Sequence, residues 1–518
     1  RGAILLPPNR TADIVIVNSC TVTHQADAAT RKMLRRLRRR SPLARVIVTG
    51  CYAQVAPAAL AEMAEVDDVV GNDGKAGLVA RLASEELPTT HERPIGQGGR
   101  ATGLPAGLLD DTDRGARQGR SSDLTGDTAA VAARRAVGEL RLSRRQRSWP
   151  ARVRPVDERI SGLPGSHTRP FLKVQDGCNQ ACAFCIIPAA RGPSRSLPYE
   201  VVLQHARQYA ELGAQELVLS GIHLGQWGRD LAPRVPLERL VERLADDLQR
   251  DGRIARLRLG SVESNEVSAD LVDLVADHPL LCEHLHVPLQ SGDDMILARM
   301  RRPYRCDDYA AVIDRIRARL PDAALGIDML VGHPGEDDES FERTAAFLAG
   351  LDFSYLHVFP FSARAGTPSA VMAERPNARV RDARCARLAA LHADRWRRFV
   401  SGHVGRRLEL LVLADAGRDS GRGDADSDTA HSDTAAPEPA EPTEPSGPIE
   451  LSGPSGPSGQ RGLTRNHIHA RLILPPGSAT PAPGTLIEAD AVAMHGKELL
   501  ASPSSRAVAA TAAQEAPR

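Results

Sequence analysis

The sequence lacks a charge excess of either sign and has few aromatic residues. Its 518 residues carry 66 Lys and Arg against 65 Asp and Glu, a net charge of +1. This balance excludes a protein that coats nucleic acid with a uniformly basic surface, so any contact with nucleic acid must come from local basic patches. Aromatic residues make up only 3%, but the 42% of hydrophobic residues is enough to form globular cores.

Long apolar runs are absent as well. No segment approaches the roughly 18–20 apolar residues of a membrane span, and no signal peptide opens the chain. We therefore expect a cytoplasmic protein with no membrane partner. The first residue is Arg1 rather than Met, and we expect the natural chain to begin earlier.

The length favours about three domains. Residues 1–85 hold two apolar strand patterns, at 13–17 and 45–49, which predict a parallel α/β domain. Each pattern runs into a cysteine, Cys20 or Cys51. Since ligands gather at the carboxyl ends of parallel strands, both thiols are expected to face one site.

Residues 167–400 carry six strand–helix units in series. This pattern predicts parallel strands with helical crossovers, hence a partial (βα)6 barrel whose chemistry lies on the loops after the strands. The predicted strands lie near 171–174, 216–219, 256–260, 284–289, 325–331 and 355–360.

Polar low-complexity tracts separate or interrupt these regions. Residues 86–166 are predicted to form a disordered linker, and 417–462 a disordered insertion in a small β-barrel at 401–505. A disordered tail is expected at 506–518. The fold class expected from the sequence is therefore α/β, with a small C-terminal β-barrel.

Three of the eight cysteines are clustered in the loop after the first predicted barrel strand. Cys178, Cys182 and Cys185 have C-x3-C-x2-C spacing, which suits three ligands of a [4Fe–4S] cluster with one iron left open. Structural zinc is the alternative, but it prefers four ligands, and no fourth Cys or His follows at finger spacing. The isolated cysteines are expected to pack as small apolar residues: Cys282, Cys306 and Cys385.

This motif, in this position, resembles the radical S-adenosylmethionine (SAM) superfamily. Further segments resemble its methylthiotransferase family, and within it the MtaB group, which acts on N6-threonylcarbamoyladenosine beside the tRNA anticodon. Those segments are Asn18-Ser-Cys-Thr-Val22, Gly50-Cys-Tyr-Ala-Gln54, Ala190-Arg-Gly-Pro-Ser-Arg-Ser196, Ser220-Gly-Ile-His223, His286-Val-Pro-Leu-Gln-Ser-Gly292, Val331-Gly-His-Pro-Gly-Glu336 and His357-Val-Phe-Pro360.

The resemblance implies two [4Fe–4S] clusters and SAM as cofactors. One cluster, on Cys178, Cys182 and Cys185, would bind SAM and cleave it to a 5′-deoxyadenosyl radical that abstracts hydrogen from C2 of the adenine. A second, N-terminal cluster would deliver the methylated sulfur. Its family pattern has three cysteines; Cys20 and Cys51 match two of them, and no cysteine precedes Cys20. We expect truncation to explain the missing third.

The same resemblance places five residues in the SAM pocket: Ser220, Gly221, Glu263, Gln290 and Ser291. For each of them, turn or capping chemistry is the alternative. No catalytic residue is assigned from the sequence.

Other polar residues near the barrel strands have less specific interpretations. Asp328 and Arg364 could contact cofactor or base, or form internal ion pairs. His286 is expected to be a core histidine with its hydrogen bonds satisfied. Arg191 and Arg195 could favour anionic groups. His333 stands where the family usually has Phe.

Expected partners are the tRNA anticodon stem-loop, a flavodoxin- or ferredoxin-type electron donor and a sulfur source. The basic helix at 31–40 could follow phosphates or simply be solvated. The C-terminal strands resemble the RNA-binding TRAM module. Without aromatic residues for stacking, binding there would depend on charge and shape, through the polar residues Arg461, Arg465, Asn466, His467 and Arg471.

The sequence therefore predicts transfer of a methylthio group to C2 of N6-threonylcarbamoyladenosine in tRNA. The alternatives within the family are isopentenyladenosine in tRNA and an aspartate of a ribosomal protein. A third alternative is a catalytically incomplete iron–sulfur RNA-binding protein, favoured by the missing cysteine.

Overall fold

The computed structural model describes residues 10–78, 82, 168–414, 460–475 and 478–504. The predicted linker at 86–166, nearly all of the predicted insertion at 417–462 and the predicted tail at 506–518 lie outside these residues. The chain divides into two compact units, of which the first contains Arg1–Val156, Asn179–Pro193 and Ser362–Val371. The second contains Asp157–Cys178, Ser194–Phe361 and Met372–Arg518.

The first unit has a parallel sheet in the order β1-β2-β3. Thr23 caps the long helix α1 by accepting a hydrogen bond from the backbone N–H of Ala26. Val17, Leu34 and Val48 belong to the buried core. The elements are β1 (Ile14–Ser19), α1 (His24–Arg40), β2 (Arg45–Gly50), α2 (Cys51–Val55), α3 (Pro57–Ala61), β3 (Asp68–Val70) and α4 (Ile187–Arg191).

The second unit contains the predicted barrel strands. They form two sheets, β5-β4-β6-β7 and β10-β9-β8, with isolated parallel bridges between Leu257 and Leu281 and between Ser261 and His286. All pairs are parallel except the pair formed by the short β5. The strands are β4 (Phe171–Asp176), β5 (Arg195–Ser196), β6 (Glu216–Gly221), β7 (Arg256–Leu259), β8 (His284–His286), β9 (Ala324–Val331) and β10 (Tyr355–Pro360).

Amphipathic helices pack against these sheets, and capping residues define where several of them begin or end. Asp337 and Asn377 each accept a backbone N–H at a helix start, and Gly252 ends a helix in the left-handed conformation. The helices are α5 (Tyr199–Glu211), α6 (Leu237–Asp251), α7 (Ala269–Asp277), α8 (Asp294–Arg299), α9 (Cys306–Arg319), α10 (Asp338–Gly350) and α11 (Ala378–Ser401).

A closed barrel in the order β11-β12-β13-β15-β14 completes the second unit. Its core includes Leu410, Ile468 and Leu499. The expected α/β class with a small C-terminal barrel is confirmed. The barrel strands are β11 (Arg407–Val412), β12 (Arg461–Thr464), β13 (His469–Leu472), β14 (Leu486–His495) and β15 (Glu498–Pro503).

Candidate active site

The loop after β4 carries the three clustered cysteines, and its first residues are fixed by Gln175. This fully buried side chain donates to the carbonyl of Gly177 at 2.7 Å and to Ser194 Oγ at 2.8 Å. Its amide oxygen accepts the backbone N–H of His223 at 2.9 Å. One amide thereby ties the start of the cysteine loop to the residue two positions beyond β6.

His223 is a site residue that sequence reasoning did not single out. Its Nδ1 lies 3.4 Å from Cys178 Sγ, and its Nε2 lies 2.7 Å from Glu266 Oε2. Burial lowers the pKa of His223, but hydrogen bonds to Cys178 and Glu266 outweigh burial and raise it to about 9. The only feature of the sequence that could have identified His223 was its place at the end of Ser220-Gly-Ile-His223, one of the segments that resemble the methylthiotransferase family.

The remaining cysteines of the loop follow closely along the chain. The backbone N–H of Cys185 donates to the carbonyl of Cys182 at 3.2 Å, which forms a tight turn between these two residues. None of the eight cysteines, all of which lie among the described residues, forms a disulfide bond. A donor set made only of thiols fits an iron–sulfur cluster better than it fits a hard cation such as Mg²⁺.

Two of the five residues predicted to line the SAM pocket, Ser220 and Gly221, are the last residues of β6. Two others follow β8. There Gln290 adopts the left-handed region with φ 76°, and Ser291 is buried and accepts the backbone N–H of Asp293 at 3.3 Å. Strain at a non-glycine residue is often found at functional sites, which makes Gln290 the most informative of these positions.

The fifth predicted residue, Glu263, is paired with the buried Arg302. Burial raises the pKa of Glu263, and Arg302 acts against that rise. The ion pair means that this carboxylate already has a partner within the protein.

His286, Asp328 and His357 form a polar cluster on three neighbouring strands. Asp328 Oδ1 lies 2.9 Å from His286 Nε2 and 3.3 Å from His357 Nδ1, and Ser261 Oγ lies 2.6 Å from His286 Nδ1. In the part of the chain that the structure describes, this is the one trio of His, Cys, Asp or Glu whose donor atoms lie within 4.8 Å of one another. The Ser261 contact is a hydrogen bond to the His286 ring, whereas Nε2 of His286 faces Asp328 as an ion pair, and the expectation that all hydrogen bonds of His286 are satisfied stays a prediction.

The N-terminal thiols lie at one edge of their sheet. Ser19 of β1 pairs with Gly50 of β2 in parallel register, so Cys20 and Cys51 each follow directly on neighbouring strand ends. Cys51 is 4% exposed, whereas Cys20 is exposed. The two cysteines therefore follow adjacent strand ends, and the expectation that both thiols face one site stays a prediction.

The isolated thiols fit the expectation of small packed residues. Burial raises the pKa of Cys282 to about 11, of Cys306 to about 12 and of Cys385 to about 11. Neutral thiols at these positions are poor nucleophiles and poor metal ligands.

Several candidate ligand residues instead bind other parts of the protein. Arg364 forms a buried ion pair with Asp27 at 2.8 Å, the internal alternative considered for it. Arg191 lies against Cys51. Of the basic helix α1, Arg38 pairs with Asp67, whereas Arg36 is exposed.

The polar residues predicted to bind RNA in the C-terminal barrel also have internal partners. Arg465 pairs with Glu283 at 3.1 Å, and Asn466 lies 2.7 Å from His403 Nε2. The remaining contacts join Arg461 and Arg471 to Glu498, and His467 to His284.

Comparisons with known proteins show which families this chain is similar to. The Radical SAM superfamily matches residues 172–348, and the uncharacterized protein family UPF0004 matches residues 1–71. A "Threonylcarbamoyladenosine tRNA methylthiotransferase MtaB" from Bacillus subtilis (strain 168) is 31% identical over 405 residues, 78% of this chain and 77% of that protein. The MtaB protein of Aquifex aeolicus (strain VF5) is also 31% identical, over 78% of this chain and 84% of its own.

The chain belongs to the radical SAM methylthiotransferase family. A second type of relative in this family is the "tRNA-2-methylthio-N(6)-dimethylallyladenosine synthase" of Cereibacter sphaeroides (strain ATCC 17025 / ATH 2.4.3), which is 37% identical over 51% of this chain and 58% of its own. Membership in the radical SAM methylthiotransferase family implies a [4Fe–4S] cluster and SAM as cofactors. Among the described residues, no helix is long and apolar enough to cross a membrane.

Proposed function

We propose that this enzyme transfers a methylthio group to C2 of N6-threonylcarbamoyladenosine beside the tRNA anticodon. The main support for this proposal is the similarity to MtaB proteins over more than three quarters of the chain. The presence of two separate thiol sites agrees with it. One thiol site follows barrel strand β4, and the other follows strands β1 and β2. Since tRNA is the substrate, we place the reaction in the cytoplasm.

Cys178, Cys182 and Cys185 are proposed to hold the first [4Fe–4S] cluster. When bound with SAM, this cluster supplies the electron that cleaves the sulfonium. Gln175 fixes the start of the cysteine loop, and His223 directs a ring nitrogen at Cys178. These two residues would orient the first thiolate ligand before cofactor binds.

Cys20 and Cys51 are proposed as two ligands of the second cluster, which would provide the sulfur to be transferred. The domains proposed are those expected from the sequence: the cluster domain at 1–85, the barrel at 167–400 and the TRAM-like RNA-binding barrel at 401–505. An external electron donor and a sulfur source complete the cycle. Ser220, Gly221, Gln290 and Ser291 are proposed to line the SAM pocket, with the paired Glu263 at its edge.

Isopentenyladenosine in tRNA is the second candidate substrate. The Cereibacter relative is named for the corresponding dimethylallyl product and matches half of this chain at higher identity. The two MtaB relatives match a larger share of the chain, and for that reason we favour the threonylcarbamoyl substrate.

The first prediction separates cofactor cleavage from the rest of the reaction. Cys182→Ala should abolish formation of 5′-deoxyadenosine, because it removes one of the three thiolates that are proposed to hold the first cluster. Chromatographic quantification of 5′-deoxyadenosine in the reduced, reconstituted protein provides the measurement. Cys282→Ala is the matched control and should retain cleavage; residual cleavage in Cys182→Ala would contradict the ligand assignment.

The second prediction addresses sulfur transfer. Cys51→Ala should keep 5′-deoxyadenosine formation within about twofold while it removes the methylthiolated nucleoside, because Cys51 belongs to the second thiol site and is not one of the three proposed ligands of the SAM cluster. Mass spectrometry of an anticodon stem-loop carrying the threonylcarbamoyl group, beside one carrying the isopentenyl group, measures both product and substrate preference. Surviving methylthiolation would show that Cys51 is not a ligand.

A further inference from the structure

A charged side chain contacts the buried N-terminal thiol. Arg191 Nε donates a hydrogen bond to Cys51 Sγ at 3.2 Å, and Cys51 is 4% exposed. Arg191 is the last residue of α4, and Cys51 is the first residue of α2. A guanidinium N–H aimed at a sulfur atom is a strong, charge-assisted donor.

A second contact holds the same two segments together. Asn72 Nδ2 donates to the carbonyl of Ala190 at 2.8 Å and lies 3.9 Å from Cys51 Sγ. The backbone N–H of Asn72 is bound in turn by Gln54 Oε1 at 2.7 Å. Arg191 therefore approaches Cys51 from a backbone that is fixed on both sides of the contact.

Arg191 lies close along the chain to two cysteines of the first thiol site. Cys182 and Cys185 lie in the loop directly before α4, within the same compact unit. Arg191 thus ends the short helix that follows the loop with two cysteines of the first thiol site, and it donates to a cysteine of the second.

Hydrogen bonds to ligand sulfurs alter the electronics of an iron–sulfur cluster. A reduced cluster carries one more negative charge than the oxidised cluster, so a cationic N–H donor at a ligand thiolate stabilises the reduced form. Removal of that donor lowers the reduction potential. A residue that only packs against Cys51 would leave the potential unchanged.

We propose that Arg191 is a positioning residue that raises the reduction potential of the N-terminal cluster and couples its Cys51 ligand to the loop of Cys182 and Cys185. This inference rests on the proposed role of Cys51 as a cluster ligand. Arg191 would contact Cys51, a proposed ligand of the N-terminal cluster, from the segment that holds Cys182 and Cys185, proposed ligands of the SAM cluster.

The test isolates the N-terminal cluster. In a background with Cys178→Ala, Cys182→Ala and Cys185→Ala, the protein is reconstituted with iron, sulfide and dithiothreitol, whose thiol can supply a cluster ligand beyond Cys20 and Cys51, and is titrated with reductant. The reduced cluster is followed by electron paramagnetic resonance, and iron and sulfide are counted for each variant. Arg191→Met removes charge and donor, Arg191→Lys keeps the charge without the guanidinium, and Arg239→Met is a surface control.

We expect the same iron content in all variants, with the lowest midpoint potential in Arg191→Met, an intermediate one in Arg191→Lys and no shift in Arg239→Met. If Arg191→Met does not take up the cluster, the potential of Arg191→Lys decides the question. An unshifted potential with a fully loaded cluster overturns the role of Arg191 and leaves Cys51 as a ligand. Failure of the background itself to bind a cluster overturns both proposals.

Discussion

His333 shows how a single residue can depart from a family pattern and still fit its environment. The imidazole is completely buried, meets the ring of Phe361 edge-on at 5.4 Å, and has Nδ1 3.0 Å from the carbonyl of Pro334. Burial lowers the pKa of His333 to about 4, although the contact with Pro334 acts in the opposite direction. The neutral imidazole therefore takes the place of an aromatic ring in this pocket.

This environment makes folding stability sensitive to pH. The folded pKa lies below the unfolded value of 6.5, so the unfolded chain binds the proton more readily. The contribution to stability is complete above pH 6.5 and is lost as the pH falls towards 4. At pH 5 the loss amounts to about 2 kcal/mol, from the linkage relation.

His333→Phe should remove this sensitivity. We expect the difference in unfolding free energy between pH 7.5 and pH 5 to shrink by about 2 kcal/mol in the variant, measured by urea denaturation. His495→Phe, at an exposed position, is the control and should leave the difference unaltered. An equal pH dependence in the His333→Phe and wild-type proteins would show that His333 is not held neutral by the fold.

At the scale of elements, the junction between β2 and α2 depends on a glycine. Gly50 has φ +97°, and a Cβ atom there would lie 2.4 Å from the carbonyl oxygen of Ser19. Both the backbone conformation and the close approach of β1 exclude a side chain. This turn places Cys51 at the start of α2.

Gly50→Ala should therefore destabilise the N-terminal sheet by about 1–3 kcal/mol, the range for a strained backbone position. Hydrogen exchange of β1 and β2 amides measures the effect locally. Gly77→Ala serves as the matched control, because nothing lies within 4 Å of its Cβ position. Unaltered protection of β1 in Gly50→Ala would contradict the steric argument.

The barrel strands were largely predictable from the sequence, whereas their side-chain partners were not. All six predicted barrel strands are present, because runs such as 216–219 are apolar and lie between clear helix patterns. The short β5 at Arg195–Ser196 was missed, because two polar residues show no apolar alternation.

The polar part of the site was less predictable still. The contact of His223 with Cys178 joins residues 45 positions apart, and that of Arg191 with Cys51 joins residues 140 positions apart. Such pairs depend on which strand ends become neighbours. The spacing of Cys178, Cys182 and Cys185 required no such knowledge, since these proposed ligands are close along the chain.

At the scale of the second unit, buried arginines join the two barrels. Arg258 on β7 binds the buried Glu216 at 2.7 Å and donates to the carbonyls of Arg465 at 2.7 Å and Thr464 at 3.1 Å. Its neighbour Arg256 donates to the carbonyl of Leu463 at 2.9 Å. The C-terminal barrel is therefore attached through charged groups with no access to solvent.

This network predicts a large effect for one substitution. Arg258→Met should lower the unfolding free energy by about 3–5 kcal/mol, because it leaves Glu216 and two carbonyls short of a buried partner. Chemical denaturation monitored together with proteolysis of the C-terminal barrel measures this loss. Arg239→Met removes only an exposed pair with Glu242 and should leave stability nearly unchanged.

The charge state of the same network sets its response to acid. Burial acts to raise the pKa of Glu216, but Arg258, Arg169 and Arg256 hold it well below 4.5. A depressed carboxyl pKa gives stability that is present above the unfolded value and is lost only as the pH falls through the folded one. The contact between the two barrels should therefore persist at mildly acidic pH.

The whole molecule combines a thiol site on an N-terminal sheet, a second thiol site on a radical SAM barrel and a small C-terminal barrel. The most direct test of its proposed activity is nucleoside mass spectrometry of tRNA from cells that lack the gene. We predict loss of 2-methylthio-N6-threonylcarbamoyladenosine and its return on complementation with the active gene, but not with the Cys182→Ala form. An unchanged level of that nucleoside in the deletion strain would contradict the proposed substrate and reaction.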